Sequence, residues 1–384
     1  MTIVVNVPGA TDFALQSAIS AYSDEAYTNA KKLTGTGITS SNPQIDTSTE
    51  TFIGQVRWMK PLNPTINVAS LTDSTAGTGT TFSSDFLTYV KTVRTHGATQ
   101  VNMKQVISQE DGLAKIGRDF AETRAQDEHN AILSVLRGVA ITEMLNGAAS
   151  GSGNTGLGGQ TFSNDPTDPK YGFYVDLGAN KPVIAATAAI QGAARAEGFL
   201  TAIGMGFKDY EPDYMYLVTS PEVFASLRSA NLVDETTVVE GNITFQTIFG
   251  GKFRLIQTRA NQGFSAAELG FINAGLGVDI IGTKTSFLVK PGAIAMESLM
   301  VPNPVGVFRD EKAYKGGGST DIWYRWGYVA HPAGYNWAGA SDAFPADTAY
   351  VAAPTGAVTA GTRGAFTRKA TSALSLGILP IFHS

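Results

Sequence analysis

The feature that most constrains this chain is a long charged helical segment followed by three strand-forming segments in a fixed order. Residues 112–139 read GLAKIGRDFAETRAQDEHNAILSVLRGV. Leu113, Ile116 and Phe120 recur at helical spacing, and so do Ile132, Val135, Leu136 and Val139. The turn between them, Glu122 to His129, is strongly charged. The spacing predicts a helix over 109–145. Glu110 and Asp111 suit its positive end, and Asn146-Gly147 suits a left-handed stop. Such a helix is apolar toward its ends and polar midway, as suits a spine that crosses a subunit.

The other three segments are apolar or aromatic. YMYLVTSPEVFASLRSANLVD predicts a strand running into a helix with Pro221 at its first position, where a missing N–H is harmless. Ser220 is placed to cap that helix. ITFQTIFGGKFRLIQTR predicts two extended segments around Gly250-Gly251, and TSFLVKPGAIAME predicts strands turning at Pro291-Gly292. WYRWGYVAHPAGYNW is aromatic and extended, and is expected to pack on the long helix. Residues 171–177 predict a short strand, 181–200 an alanine-rich helix, 268–275 a further strand, and the end of the chain a strand paired into a sheet.

Ahead of the helix, FIGQVRWM at 52–59 and DFLTYVKTVRT at 85–95 alternate as strands. The polar, Pro- and Gly-containing stretch between them predicts a long antiparallel hairpin with a broad tip. A two-stranded hairpin is marginal alone in water, so it either rests on another surface or belongs to a larger sheet. Residues 1–50 combine patchy helical spacing with a Gly/Ser/Asn/Pro stretch and read as an arm that needs a partner surface.

Charged residues are only 16% of the chain, and there are 42 glycines. That balance suits a surface largely covered by other subunits, because interface cores are depleted in charge; a β-rich protein with many turns is the alternative. A net charge of −5 speaks against a dedicated nucleic-acid binder, though not against a wall around nucleic acid. With no cysteine, disulfides and thiolate metal sites are excluded. The four histidines, His96, His129, His331 and His383, are far apart in sequence. No apolar run reaches transmembrane length, and the start lacks the basic and apolar regions of a signal peptide, so a cytoplasmic origin is expected.

Possible chemical motifs have plainer readings. Gly151, Gly153 and Gly156 fit GxGxxG, but a helix precedes them and a polar loop follows, the reverse of a dinucleotide site. Asp127, Glu128 and His129, with Glu122 and Arg124 nearby, read as a solvated or inter-subunit salt-bridge face. His331 before Pro332 reads as a turn residue. Ser220 lacks the flanking glycines of a nucleophile elbow. Asn242 to Thr244 is a sequon of consequence only in a secretory pathway. No catalytic, cofactor-binding or metal-binding residue is assigned, and no enzyme activity is expected.

Taken in order, the long helix, the strand into Thr219-Ser220-Pro221, FGGKFRLIQTR and GYVAHPAGYNW resemble the major capsid proteins of tailed bacteriophages, the Hong Kong 97-type fold. The resemblance covers roughly residues 50–384 and rests on order and spacing more than on any one motif. It implies an α+β fold with an N-terminal arm at 1–50 and an extended hairpin loop at 51–105. A peripheral domain with the spine helix would span 106–180, and an α/β axial domain 181–300. Residues 301–384 would return to the peripheral domain and supply the C-terminal strand.

It further implies a structural protein assembling into hexamers and pentamers of an icosahedral shell around double-stranded DNA. The expected partners are its own copies, with separate scaffold, portal and decoration proteins, no membrane and no cofactor. The shell would be built in the host bacterial cytoplasm and end as the virion capsid. Relatives often carry a long charged N-terminal extension, and no such block precedes this arm, so scaffolding is expected either from a separate protein or not to be needed. In some shells of this fold a lysine and an asparagine crosslink neighbours; Lys60 and Lys91 lie near the hairpin, but no motif carries that chemistry here. An encapsulin-like nanocompartment enclosing cargo enzymes is the alternative within the fold.

Overall fold

The computed structural model describes residues 33–59, 84–101, 112–149, 175–176, 213–229, 231–240, 243–248, 250–258, 284–340, 342–351, 365–369 and 376–383. The architecture is α+β, with two main sheets, two small strand pairs and one long helix. The expectations for the arm at 1–32, the hairpin tip at 60–83, the loop at 151–156, the alanine-rich helix at 181–200, the strand at 268–275 and the residues before Gly112 lie outside the described residues.

The helix, α1, spans Gly112–Ala149. It runs two residues past Gly147, so the Asn146-Gly147 stop is not its end. At 1.5 Å per residue it is about 57 Å long. One stripe, Ile132, Val135, Leu136, Val139 and Ala140, is fully buried, and from Gly138 to Glu143 every residue is buried, so that stretch is enclosed all round.

A five-stranded sheet lies on α1. Its centre is β13 (Ser319–Pro332), the aromatic segment. On one side β13 pairs antiparallel with β4 (Thr92–Val101). On the other it pairs with β12 (Val305–Asp310) and then β11 (Ile294–Ser298), which takes β1 (Thr39–Ser40) as a parallel neighbour. Strand alternation puts Ile322, Tyr324, Trp326 and Tyr328 on the face toward α1, where Tyr324 stacks on Phe120 at 5.5 Å. The aromatic strand therefore packs on the long helix as expected.

The second sheet has seven strands in the order β5-β16-β10-β6-β9-β8-β7. These are β5 (Val175–Asp176), β6 (Met215–Thr219), β7 (Val233–Glu240), β8 (Ile243–Ile248), β9 (Phe253–Gln257), β10 (Lys284–Val289) and β16 (Ile378–His383). β6 is buried along its whole length and pairs parallel with β9. Helix α2 (Pro221–Ser229) follows β6, with Ser220 Oγ accepting from Val223 N at 3.4 Å, so the cap and the proline sit where the sequence puts them. Gly250 and Gly251 take φ of 69° and 92° between β8 and β9, a turn that residues with a Cβ rarely adopt.

Three placements differ from the sequence reading. The strand expected over 85–95 is two strands, β3 (Ser84–Val90) and β4, which part at Lys91 and enter different sheets. The strands around Pro291-Gly292 also part, β10 to the seven-stranded sheet and β11 to the five-stranded one. The C-terminal strand β16, expected with the peripheral part, pairs with β10 over six residues in the seven-stranded sheet. In each case the alternation that marks a strand is blind to the strand's partner.

The remaining pairs are β14 (Tyr335–Trp337) with β15 (Phe366–Arg368), and β2 (Ile53–Met59) with β3. One core cluster joins α1 and both main sheets, and a smaller one lies under β2–β3.

Candidate assembly surface

β2 and β3 form a hairpin with no third strand among the described residues. Its two faces differ. Val56, Leu87 and Tyr89 point to one face and pack with Ile45, Leu299 and Val329 in the small core. Arg57, Met59 and Phe86 point to the other, where Met59 is 67% and Phe86 57% exposed. Arg57 stands directly opposite Phe86 and donates to Ser84 Oγ at 3.2 Å. The first face is covered by this chain; the second is buried at its base, where Val90 enters the main core, and bare at Phe86 and Met59.

Its base is held by Lys91. That side chain is fully buried, and its ammonium donates to Asp46 Oδ2 at 2.6 Å, Ser48 O at 2.8 Å and Thr51 Oγ1 at 3.2 Å. The lysine backbone donates to Phe52 O at 2.8 Å. Strand β3 therefore ends where its own side chain pins residues 46–51 across the hairpin. The hydrogen bond from Lys91, with that from Ser48 N, holds the Asp46 carboxyl down at about 2. Asp46 N also donates to the Tyr89 hydroxyl at 2.7 Å. The Tyr89 ring covers its cross-strand partner Gly54 so closely that a Cβ there would lie 2.2 Å from it. Asn336 Oδ1 accepts from Thr88 N at 3.0 Å, and Lys369 pairs with Asp85 at 3.2 Å, tying the hairpin to β14 and β15.

A second bare patch lies on β12–β13. The side of β13 away from α1 is covered by the hairpin at Val329 but open at Trp323, which is 44% exposed. Phe308 on β12 is 57% exposed and stands opposite Asp321, diagonal to Trp323. Asp321 has no ion-pair partner among the described residues.

The residues singled out in the sequence go to separate places. Asp127, Glu128 and His129 do not form a solvated face. Asp127 accepts from Trp326 Nε1 at 2.9 Å and lies 3.5 Å from Arg94 Nε, while Glu128 is buried and paired with Arg124 at 3.0 Å. Burial raises the Asp127 carboxyl above its ordinary range. These charges bind α1 to β4 and β13 within one subunit. His331 is not in the turn but in β13, buried with its ring centroid 6.3 Å from that of Tyr89, and burial lowers it to about 4. Gly151 to Gly156, Asn242 and Lys60 lie outside the described residues.

Sequence reasoning missed the buried pair of Glu143 and Arg368, 2.9 Å apart, to which Tyr335 adds a hydroxyl at 3.0 Å. It missed the Lys91 anchor as well. In both cases the signal is a lone charge on an otherwise apolar stripe, Lys91 beside Leu87, Tyr89 and Val93, and Glu143 after Val139 and Ala140. Among the described residues there is no group of three His, Asp or Glu placed to hold a metal, and no helix long and apolar enough to cross a membrane.

No family model matches the sequence, and no curated protein matches it. Solved structures similar to it include the capsid of Ralstonia phage GP4, at 12% identity over 90% of this chain and 87% of that one, with a TM-score of 0.47. The acidic stable capsid structure of Helicobacter pylori bacteriophage KHP30 is similar at 10% identity over 90% and 88%, with a TM-score of 0.43. The mature capsid of bacteriophage PhiM1 is similar at 12% identity over 78% and 83%, with a TM-score of 0.42. All three are phage capsids.

Proposed function

We propose that this chain is the major capsid protein of a tailed bacteriophage, a structural protein whose copies form the hexamers and pentamers of an icosahedral shell around double-stranded DNA. The observation that carries the reading is the β2–β3 hairpin, a two-stranded ribbon pinned at its base whose outer face leaves Met59 and Phe86 bare. One side of the ribbon already lies on its own subunit, and the exposed Phe86 and Met59 on the other call for a further surface, for which copies of the same chain are the simplest supply.

In this reading residues 1–50 are an arm and 51–105 carry the extended hairpin. Helix α1 and the five-stranded sheet make the peripheral domain of 106–180 with 301–384. The seven-stranded sheet is the body of the axial domain of 181–300, with β16 contributed by the return segment. A separate scaffold guides assembly, a portal occupies one vertex, and decoration proteins add to the outside. The net negative charge keeps packaged DNA from adhering to the wall. The shell is built in the bacterial cytoplasm and becomes the virion capsid.

The test is to express the full chain, alone and with its genomic neighbours, and examine the product by size exclusion and negative-stain microscopy. Closed shells or regular capsomers are expected. Deleting residues 62–82 is expected to leave a soluble subunit that forms no stable shell. A chain that stays monomeric in both settings refutes the reading.

A further inference from the structure

We propose that the β2–β3 hairpin is an acid-released flap within the single subunit, and that His331, enclosed beneath its base, is the trigger. His331 lies on the same face of β13 as Val329, which packs in the small core under the hairpin. Its ring is buried against Tyr89 of β3, with centroids 6.3 Å apart. The ring donates to the Tyr335 backbone carbonyl, while its Nε2 is buried with no hydrogen-bond partner among the described residues. Nε2 therefore carries only a lone pair. A proton there would make a buried cation whose new N–H has no acceptor, which is costly. Lifting the hairpin gives Nε2 to water and removes that cost.

The charges around the ring are held by other partners. Ahead of β2, Asp46 is bound by Lys91 at 2.6 Å. On β11, Ala295 is the strand partner of His331, and Glu297 farther along accepts from Ser41 Oγ and Asn42 N. Beside β14, Tyr335 and Arg368 share Glu143. Farther along β3, Asp85 pairs with Lys369. The Tyr89 phenol is pushed up by burial and accepts from Asp46 N. Asp46 itself is held at about 2, so the Lys91–Asp46 tether stays ionised where His331 titrates. Acid thus frees the hairpin while its base stays tied. Burial holds the covered ring at about 4, against 6.5 in water. The closed form takes its proton later, so falling pH favours the open form from 6.5 down to 4. At pH 5 the open-to-closed ratio should be about 30 times its value above pH 7.

The chain has no cysteine, so one engineered thiol reports one place. Leu87→Cys, buried in the hairpin core, reads the flap, and Leu217→Cys, buried in β6, reads the body. The probe is 4,4′-dithiodipyridine, which labels thiols in acid, applied to the full chain as separate subunits. Each rate is taken relative to the same variant in urea at the same pH. From pH 7.5 to pH 5, labelling of Leu87→Cys is expected to rise about 30-fold and that of Leu217→Cys less than about threefold. With His331→Gln added, the Leu87→Cys rise should also drop below about threefold. A flat Leu87→Cys response overturns the inference, as does a body thiol that opens in step with it or a rise that survives loss of the histidine. Val56→Cys, on the other strand of the same core, and His331→Leu take over if either first variant fails to fold.

Discussion

Replacing Arg368 by methionine should unlatch the C-terminal part of the chain from the spine helix. Arg368 on β15 is 4% exposed, and its partner Glu143 on α1 is fully buried, 2.9 Å away. Tyr335 on β14 donates its hydroxyl to the same carboxylate at 3.0 Å. Burial, then the Glu143 charge, pushes the Tyr335 phenol well up, so it remains a donor at any physiological pH. Arg368→Met takes this cation from a buried carboxylate, which costs about 3–5 kcal/mol. Glu143→Leu takes this anion from the buried guanidinium and should cost a similar amount. Removing both ions together leaves mainly the Tyr335 hydroxyl without an acceptor, about 1–2 kcal/mol. Unfolding entropy of about 2.1 cal/mol/K per residue over 384 residues converts about 3–5 kcal/mol into about 4–6 °C of melting temperature. The assay is thermal melting of the unassembled subunit at pH 7, since assembly would add concentration-dependent stability. Each single variant should fall by that amount and the double variant by about 1–3 °C. Single variants within about 1 °C of wild type, or a double variant as low as the two singles combined, would refute the reasoning.

Three other outcomes are expected. His331 is buried and lowered from 6.5 to about 4, so the unfolded chain binds its proton first. The stability that the neutral ring contributes is complete above pH 6.5 and is lost as pH falls toward 4, by roughly 3 kcal/mol. Replacing His331 by leucine should flatten that window in a pH series of melts, and an unchanged slope would disprove it. Gly138→Ala should destabilise despite lying in a helix, where alanine normally gains about 1 kcal/mol, because its Cβ would sit 2.2 Å from the Tyr350 carbonyl oxygen; a raised melting temperature would contradict the packing. Ser220→Ala should cost only about 0.5–1 kcal/mol, given the long 3.4 Å cap bond, and urea midpoints check it.

The long helix was legible because its period is local: Ile132, Val135, Leu136 and Val139 recur at helical spacing wherever the helix packs. The β6–α2 junction was legible for the same reason, since Ser220 and Pro221 act within one turn. The aromatic segment announced a strand through alternation, and the double glycine at 250–251 announced a turn. The two faces of the hairpin follow from alternation too, with Phe86 on one and Leu87 on the other.

Partner choice was not legible. Nothing local to residues 85–95 says that the chain leaves one sheet for another at Lys91, because the switch depends on Asp46, Ser48 and Thr51, some forty residues earlier. Likewise Asp127 looks solvated in a charged turn and becomes interior only when Arg94 and Trp326 arrive from β4 and β13. Local pattern was thus enough for the body of the spine helix, the β6–α2 junction, the aromatic strand and the faces of the hairpin. Those properties depend on neighbours three or four residues apart in a helix and two apart in a strand. Only the tertiary structure decided which strand joins which sheet, which charges are buried in pairs, and which apolar side chains the subunit leaves bare. Those depend on contacts between residues distant in sequence, and they are what a second copy of the chain would meet.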